Sequence, residues 1–210
     1  MGHSLPFVEE IFTRLRRHNA HPQSELDFFD PFTLLIAVVL SAQSTDRQVN
    51  RLTPKLFQQA PHAHALAQLT ESDIHPLLRS LGLYKVKTQY ILALARQLVR
   101  DHNGQVPQTR QELEALPGVG RKTAGVVLNV AFGHGEIPVD THVFRVSHRL
   151  GLGDASTPQG IEHQLQSLIP ESWKVRAHHD LLLHGRYVCK AKKPLCSSCV
   201  LRDLCPAFVS

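Results

Sequence analysis

Two side chains able to do covalent or acid–base chemistry stand at the starts of apolar helical segments. In LPGVGRKTAGVVLN (Leu116–Asn129), Gly118 and Gly120 flank Val119, and Arg121 and Lys122 follow in the first turn of a helix. Such glycines permit backbone angles closed to other residues and let an anion come close to the chain. The N–H groups at the start of the next helix, aided by the positive end of its dipole, then meet a phosphate without help from lysine. Lys122 is then left without that role, which raises the question of what it does. Asp140, in IPVDTHVFRVSHRLG, precedes Val143, Val146 and Leu150 at helical spacing. It reads either as an N-cap, worth ~1 kcal/mol, or as a carboxylate facing Lys122 across a cleft.

A third group of reactive side chains lies near the C-terminus. All four cysteines fall within CKAKKPLCSSCVLRDLC, as Cys189, Cys196, Cys199 and Cys205, at intervals of six, two and five residues. One short loop is a poor disulfide framework, which would staple distant segments. The thioredoxin-like reading of Cys196 and Cys199 needs a βαβ setting. Zinc sites usually separate two close pairs by a longer finger or ribbon. A compact [4Fe–4S] cluster accommodates the spacing better, with zinc and unligated or disulfide cysteines as the alternatives. Lys190, Lys192 and Lys193 occupy the first interval, either as a solvated run or as phosphate contacts.

The elements that must position these groups read as helices with punctuation. The stripe Ala124, Val127, Leu128 and Ala131 recurs at helical spacing and places Lys122 nearly opposite, beside Gly125, Val126 and Asn129. That face is either solvent or the wall of a groove. Asp30 and Pro31 open a helix as N-cap and first residue, as do Thr157 and Pro158, whose helix ends before Pro170. Thr70 opens a helix expected to close on Gly82 as its C′ residue. Thr109 and Glu112 form a possible capping box, and Asn103-Gly104 reads as a helix stop. Pro54 is expected to kink or split its helix. No hairpin signal with alternating flanks appears. The fold class is all-α.

Bulk properties admit a nucleic-acid partner without requiring one. The chain has 210 residues, 42% of them hydrophobic and 20% charged, and a formal charge of +5. This is an ordinary globular composition with room for one domain or two small ones. The longest mainly apolar run, Phe32–Leu40, is far short of the ~20 residues that span a bilayer, and the N-terminus lacks the apolar core of a secretory signal. Pro6 stands where an N-myristoylation site wants Ser or Thr. A cytoplasmic protein is expected.

LPGVGRKTA, then VDTHVFRV, then HGRYVC leading into the cysteines resemble endonuclease III, a family of bifunctional DNA glycosylases and apurinic/apyrimidinic lyases. SAQSTD (Ser41–Asp46) and LGLYKVK (Leu81–Lys87) resemble further segments of that family, and the match runs from about Leu15 to Cys205. The resemblance implies the helix-hairpin-helix DNA glycosylase fold, with two helical domains and a DNA-binding cleft between them. Residues 22–133 would form a six-helix domain holding the hairpin, and residues 1–21 plus 134–210 a domain bearing the cluster. It implies that Lys122 is the nucleophile and Asp140 the essential carboxylate. Gly118, Val119, Gly120 and Arg121 would grip DNA, Gln43 would fill the gap left by an extruded nucleotide, and Leu83 would wedge into the opposite strand. It further implies duplex DNA with damaged bases or abasic sites as partner, oxidised pyrimidines as substrates, and a monomer associated with the nucleoid while it acts.

The chain departs from the family at Asp180, where members often carry tryptophan, and Pro54 bears on the helix after Gln43. Other readings make different demands. The adenine-excising glycosylases of the same superfamily lack a lysine at the position of Lys122 and carry a further C-terminal domain, whereas this chain stops at Ser210. A non-catalytic DNA-binding module would use the hairpin and cluster for attachment and would have no use for Lys122 and Asp140 together. A cluster-bearing electron carrier would have no use for the basic hairpin.

Overall fold

A computed structural model describes residues 5–20 and 22–208, so residues 1–4 of the expected N-terminal segment, residue 21 and residues 209–210 lie outside the described residues. The described elements are helical: α1 (Leu5–His18), α2 (Pro31–Ser41), α3 (Asp46–Gln59), α4 (Ala63–Ala67), α5 (Glu71–Leu78), α6 (Tyr84–His102), α7 (Arg110–Glu114), α8 (Arg121–Phe132), α9 (Thr141–Leu150), α10 (Pro158–Leu168) and α11 (Glu171–Tyr187). Short 3-10 turns follow at Cys196–Ser198 and Arg202–Leu204. No helix among the described residues is long and apolar enough to cross a membrane.

Helix starts are set by local chemistry. Asp30 Oδ1 accepts the Thr33 amide N–H at 2.7 Å while Thr33 Oγ1 accepts the Asp30 N–H at 3.1 Å, closing a reciprocal cap on α2. Thr157 Oγ1 accepts the Gly160 N–H at 3.1 Å at the start of α10. Thr109 Oγ1 accepts the Glu112 N–H at 3.3 Å, and the Glu112 carboxylate takes the Thr109 hydroxyl. Asn103 (φ 51°) and Gly104 (φ 75°) end α6 in the left-handed region.

One expectation is corrected, and one alternative of a second is excluded. α5 ends at Leu78, not beside Gly82. The Leu81 N–H turns back onto the Leu78 carbonyl at 2.8 Å and buries the Leu81 side chain, and the left-handed residue is Leu83 (φ 59°), which starts α6. Pro54 does not split α3, which runs through it from Asp46 to Gln59. Pro54 is exposed, so a carbonyl that loses its helical partner on that face can bond water.

The chain divides into two compact units, Ser24–Phe132 and Met1–Gln23 with Gly133–Ser210. In the first, α2 is buried from Phe32 to Leu40, as expected for a helix apolar on every side. α3, α6 and α8 pack on it, α4 and α5 lie on α6, and α7 packs on α8. In the second, Val8, Ile11, Phe12 and Leu15 of α1 join Val143, Val146 and Leu150 of α9, Ile161 and Leu165 of α10, and Leu181 of α11 in a separate core.

Candidate functional site

In the Ser24–Phe132 unit, the packing of α7 on α8 brings the chain into a tight corner at Pro117–Gly120. Gly118 is left-handed (φ 75°), and a Cβ there would lie 2.8 Å from the Tyr90 ring. Val119 is buried as the anchor of the corner, its N–H bonded to the Leu116 carbonyl at 3.1 Å. Gly120 differs: a Cβ there would meet nothing within 4 Å. Its carbonyl accepts the Ala124 N–H at 2.9 Å, so α8 begins at once.

α8 buries Ala124, Gly125, Val127, Leu128 and Asn129, while Arg121 and Lys122 are exposed. Val126 is half-buried, so Lys122 stands at the margin of a partly covered face. Gln43 (φ 54°) and Leu83 (φ 59°) belong to the same unit, and both are exposed, Leu83 to 57%. Neither is glycine, so both hold backbone conformations that such residues rarely adopt. An apolar side chain left this open is no part of the core, which removes the reading of Leu83 as ordinary packing.

In the other unit, Asp140 is half-buried at the start of α9. Its Oδ1 accepts the N–H groups of His142 and Val143 at 2.9 and 2.8 Å. Both bonds fall on that one oxygen, so Oδ2 takes no part in the cap.

The four cysteines line one cavity of about 180 Å³ together with Arg149, His184, Val188, Leu195 and Arg202. Burial first, then charge on the other three cysteines, raises the Cys199 thiol above its ordinary value. The group suits a multi-iron cluster. Donors to sulfur are in place: Arg149 Nη1 lies 3.4 Å from Cys189 Sγ and the Leu201 N–H 3.4 Å from Cys199 Sγ. Such bonds stabilise thiolate charge at iron–sulfur centres.

Arg145 and Arg149, one turn apart on α9, hold the loop from outside. Arg145 Nε donates to the Cys189 carbonyl at 3.0 Å, and Arg149 donates to the carbonyls of Lys190 and Ala191 at 2.8 and 3.2 Å. Neither was legible from sequence, although their i, i+4 spacing in VFRVSHRL is a signal. Lys190, Lys192 and Lys193 are exposed along the loop so held.

Asp180 lies inside this unit, buried on α11, with neither carboxylate oxygen hydrogen-bonded. It borders a cavity of about 240 Å³ with Leu15, His18, Asn19 and His184.

Comparison with known proteins gives these features a family. Residues 36–171 match the profile of the HhH-GPD superfamily base excision DNA repair proteins, and residues 189–205 match the iron–sulfur binding domain of endonuclease III. The chain is 50% identical over 196 residues to endonuclease III of Escherichia coli and 49% identical over 196 residues to that of Haemophilus influenzae, covering 93% of each chain in both cases. Its fold matches the structure of a trapped endonuclease III–DNA covalent intermediate with a TM-score of 0.91 and 41% identity, over 98% of this chain and 97% of the other. The cofactor is accordingly a [4Fe–4S] cluster. With its helical fold, its glycine corner and its cysteine loop, the chain belongs to the endonuclease III family of the HhH-GPD superfamily, the DNA glycosylases and abasic-site lyases of base excision repair.

Proposed function

We propose that this enzyme binds duplex DNA, extrudes an oxidised pyrimidine and cuts the strand at the resulting abasic site, with Lys122 as nucleophile and Asp140 as the carboxylate that serves it. The observation that carries the reading is the setting of Lys122: exposed in the first turn of α8, directly after a corner whose Gly120 leaves its outer side open. Backbone N–H groups can hold a DNA phosphate there. The amine is then left to react.

The chemistry follows from the groups. An extruded nucleotide exposes its anomeric carbon. Lys122 Nζ bonds to that carbon as the glycosidic bond breaks and its electron pair leaves with the base, which takes up a proton. The sugar ring opens and the adduct becomes an imine. Loss of a proton from the neighbouring sugar carbon expels the 3′ phosphate with its electron pair, and water then frees the lysine. Positive charge develops on the sugar as the base departs. Asp140, whose Oδ2 is not used by the cap, supplies a fixed negative charge against it. Gln43 and Leu83 enter the duplex, and Arg121 with Lys190, Lys192 and Lys193 contacts phosphates. Cys189, Cys196, Cys199 and Cys205 would hold the [4Fe–4S] cluster, which when bound ties the lysine loop to the rest of its unit. The enzyme works as a monomer in the cytoplasm, at the nucleoid.

The test is a duplex containing one abasic site. Strand cleavage is expected, and tight binding with the strand left whole would make the chain a DNA-binding module. Asp140→Asn keeps a side-chain oxygen for the cap but removes the charge. It is expected to lower cleavage by orders of magnitude with little change in Tm. A variant that keeps full activity would reduce Asp140 to a helix cap.

A further inference from the structure

We infer that Lys87 is a positioning residue for base extrusion, bonded to Ser44 so that the turn carrying Gln43 and the turn carrying Leu83 are held as one piece. This rests on the reading above, in which both side chains enter the duplex.

Lys87 lies in the first turn of α6 and is 4% exposed, a burial that lysine almost never shows unless paired. Its Nζ donates to Ser44 Oγ at 2.7 Å, across 43 residues of chain. Its own N–H donates to the Leu83 carbonyl at 3.0 Å. One residue is therefore tied through its backbone to Leu83 and through its side chain to the neighbour of Gln43. Burial lowers the Lys87 pKa, which is the direction expected of an ammonium taken out of water.

The two turns need such a tie. Gln43 (φ 54°) and Leu83 (φ 59°) are both left-handed, and a non-glycine residue there holds a strained backbone that surrounding contacts must offset. The Gln43 turn has its own local bonds: the Ser44 N–H reaches the Ser41 carbonyl at 3.0 Å, and the Thr45 N–H reaches Gln48 Oε1 at 3.1 Å. These fix the shape of the turn. They do not fix its distance from Leu83, which the Lys87–Ser44 bond does. The same face of α6 reaches the hairpin one step further on, where Tyr90, three residues after Lys87, lies against Gly118. Leu83, Lys87 and Tyr90 follow at i, i+4 and i+7, one stripe of the helix.

The geometry matters only where stacked bases must be parted. The test therefore compares release of a damaged base from a duplex with cleavage of an abasic site in a single strand. Ser44→Ala, Lys87→Met and the double variant are measured on both substrates, with Tm recorded and Gln43→Ala in parallel. Removal of a hydrogen bond to a charged group is expected to slow duplex processing by about tenfold, with single-strand cleavage within about twofold of the unaltered enzyme. The double variant is expected to be no slower on duplex than Lys87→Met alone, because both changes break one bond.

Equal losses on the two substrates, or additive losses in the double variant, would overturn the inference and leave Lys87 a structural lysine. Ser44→Ala decides the matter if Lys87→Met does not fold. The control separates the two levels. If Gln43→Ala shows the duplex-specific loss and Ser44→Ala does not, the tie is refuted and the extrusion reading stands; if Gln43→Ala shows none, both fall.

Discussion

Asp140 and Asp180 are two acidic residues with opposite surroundings in one unit. Asp140 accepts two amide N–H bonds on a single oxygen and leaves the other outside the cap, so the cap leaves room for the catalytic role proposed for this side chain. Asp180 has no hydrogen-bond partner at all. Arg176 stands one turn earlier on α11, but its Nη2 donates to the Ala20 carbonyl at 2.7 Å instead. Burial pushes the Asp180 carboxyl up to about 6, against the opposing pull of Arg176 and Arg16. A carboxyl raised above its unfolded value of 3.8 holds its proton more tightly in the folded chain. Its contribution is least unfavourable below about pH 4, and stability falls as pH rises to about 6 and does not return above it. The loss is on the order of 3 kcal/mol. Asp180→Asn is expected to raise Tm at pH 7.5 and to remove the decline in Tm between pH 4 and 6. Parallel Tm profiles for the two proteins would contradict this account of Asp180.

The helix-hairpin-helix corner separates two uses of glycine at the scale of an element. Gly118 is required by the protein itself, since its φ of 75° and the Tyr90 ring at 2.8 Å both exclude a side chain. Gly120 has open space beyond it, so the fold itself does not require glycine there, and on the proposed function its small size admits a phosphate. Gly118→Ala is therefore expected to destabilise the fold by about 1–3 kcal/mol. Gly120→Ala is expected to change Tm little and to weaken DNA binding at least severalfold, checked by thermal melting and a binding titration at fixed salt. Similar Tm losses in both variants would mean that the corner is purely structural. Elements of this kind were legible in the sequence because their causes are local: Asp30, Thr109 and Thr157 cap helices through bonds three residues away. Gly82 as a helix end and Pro54 as a helix splitter misled for the opposite reason. Burial of Leu81 ends the turn before Gly82 is reached, and an exposed helix face tolerates Pro54. Both facts depend on packing that no short window contains.

Across the whole molecule, the residues proposed to do the chemistry could be named from sequence, and the groups that support them could not. Lys122, Asp140 and the four cysteines sit in compact motifs whose residue types limit what they can do. Lys87 meets Ser44 across 43 residues, and Arg149 meets the cysteine loop across 41; only the fold brings such partners together. Asp180 was visible as a departure from the family, but its burial without a partner was not. The central claim is that one amine, on Lys122, does the covalent work. Borohydride added during reaction with an abasic duplex reduces the imine and fixes the protein to the DNA. The unaltered enzyme is expected to give this adduct, and Lys122→Ala to lose both adduct and strand cleavage while still binding abasic DNA through the backbone of the hairpin. Efficient trapping by Lys122→Ala would place the nucleophile on another amine and contradict the account.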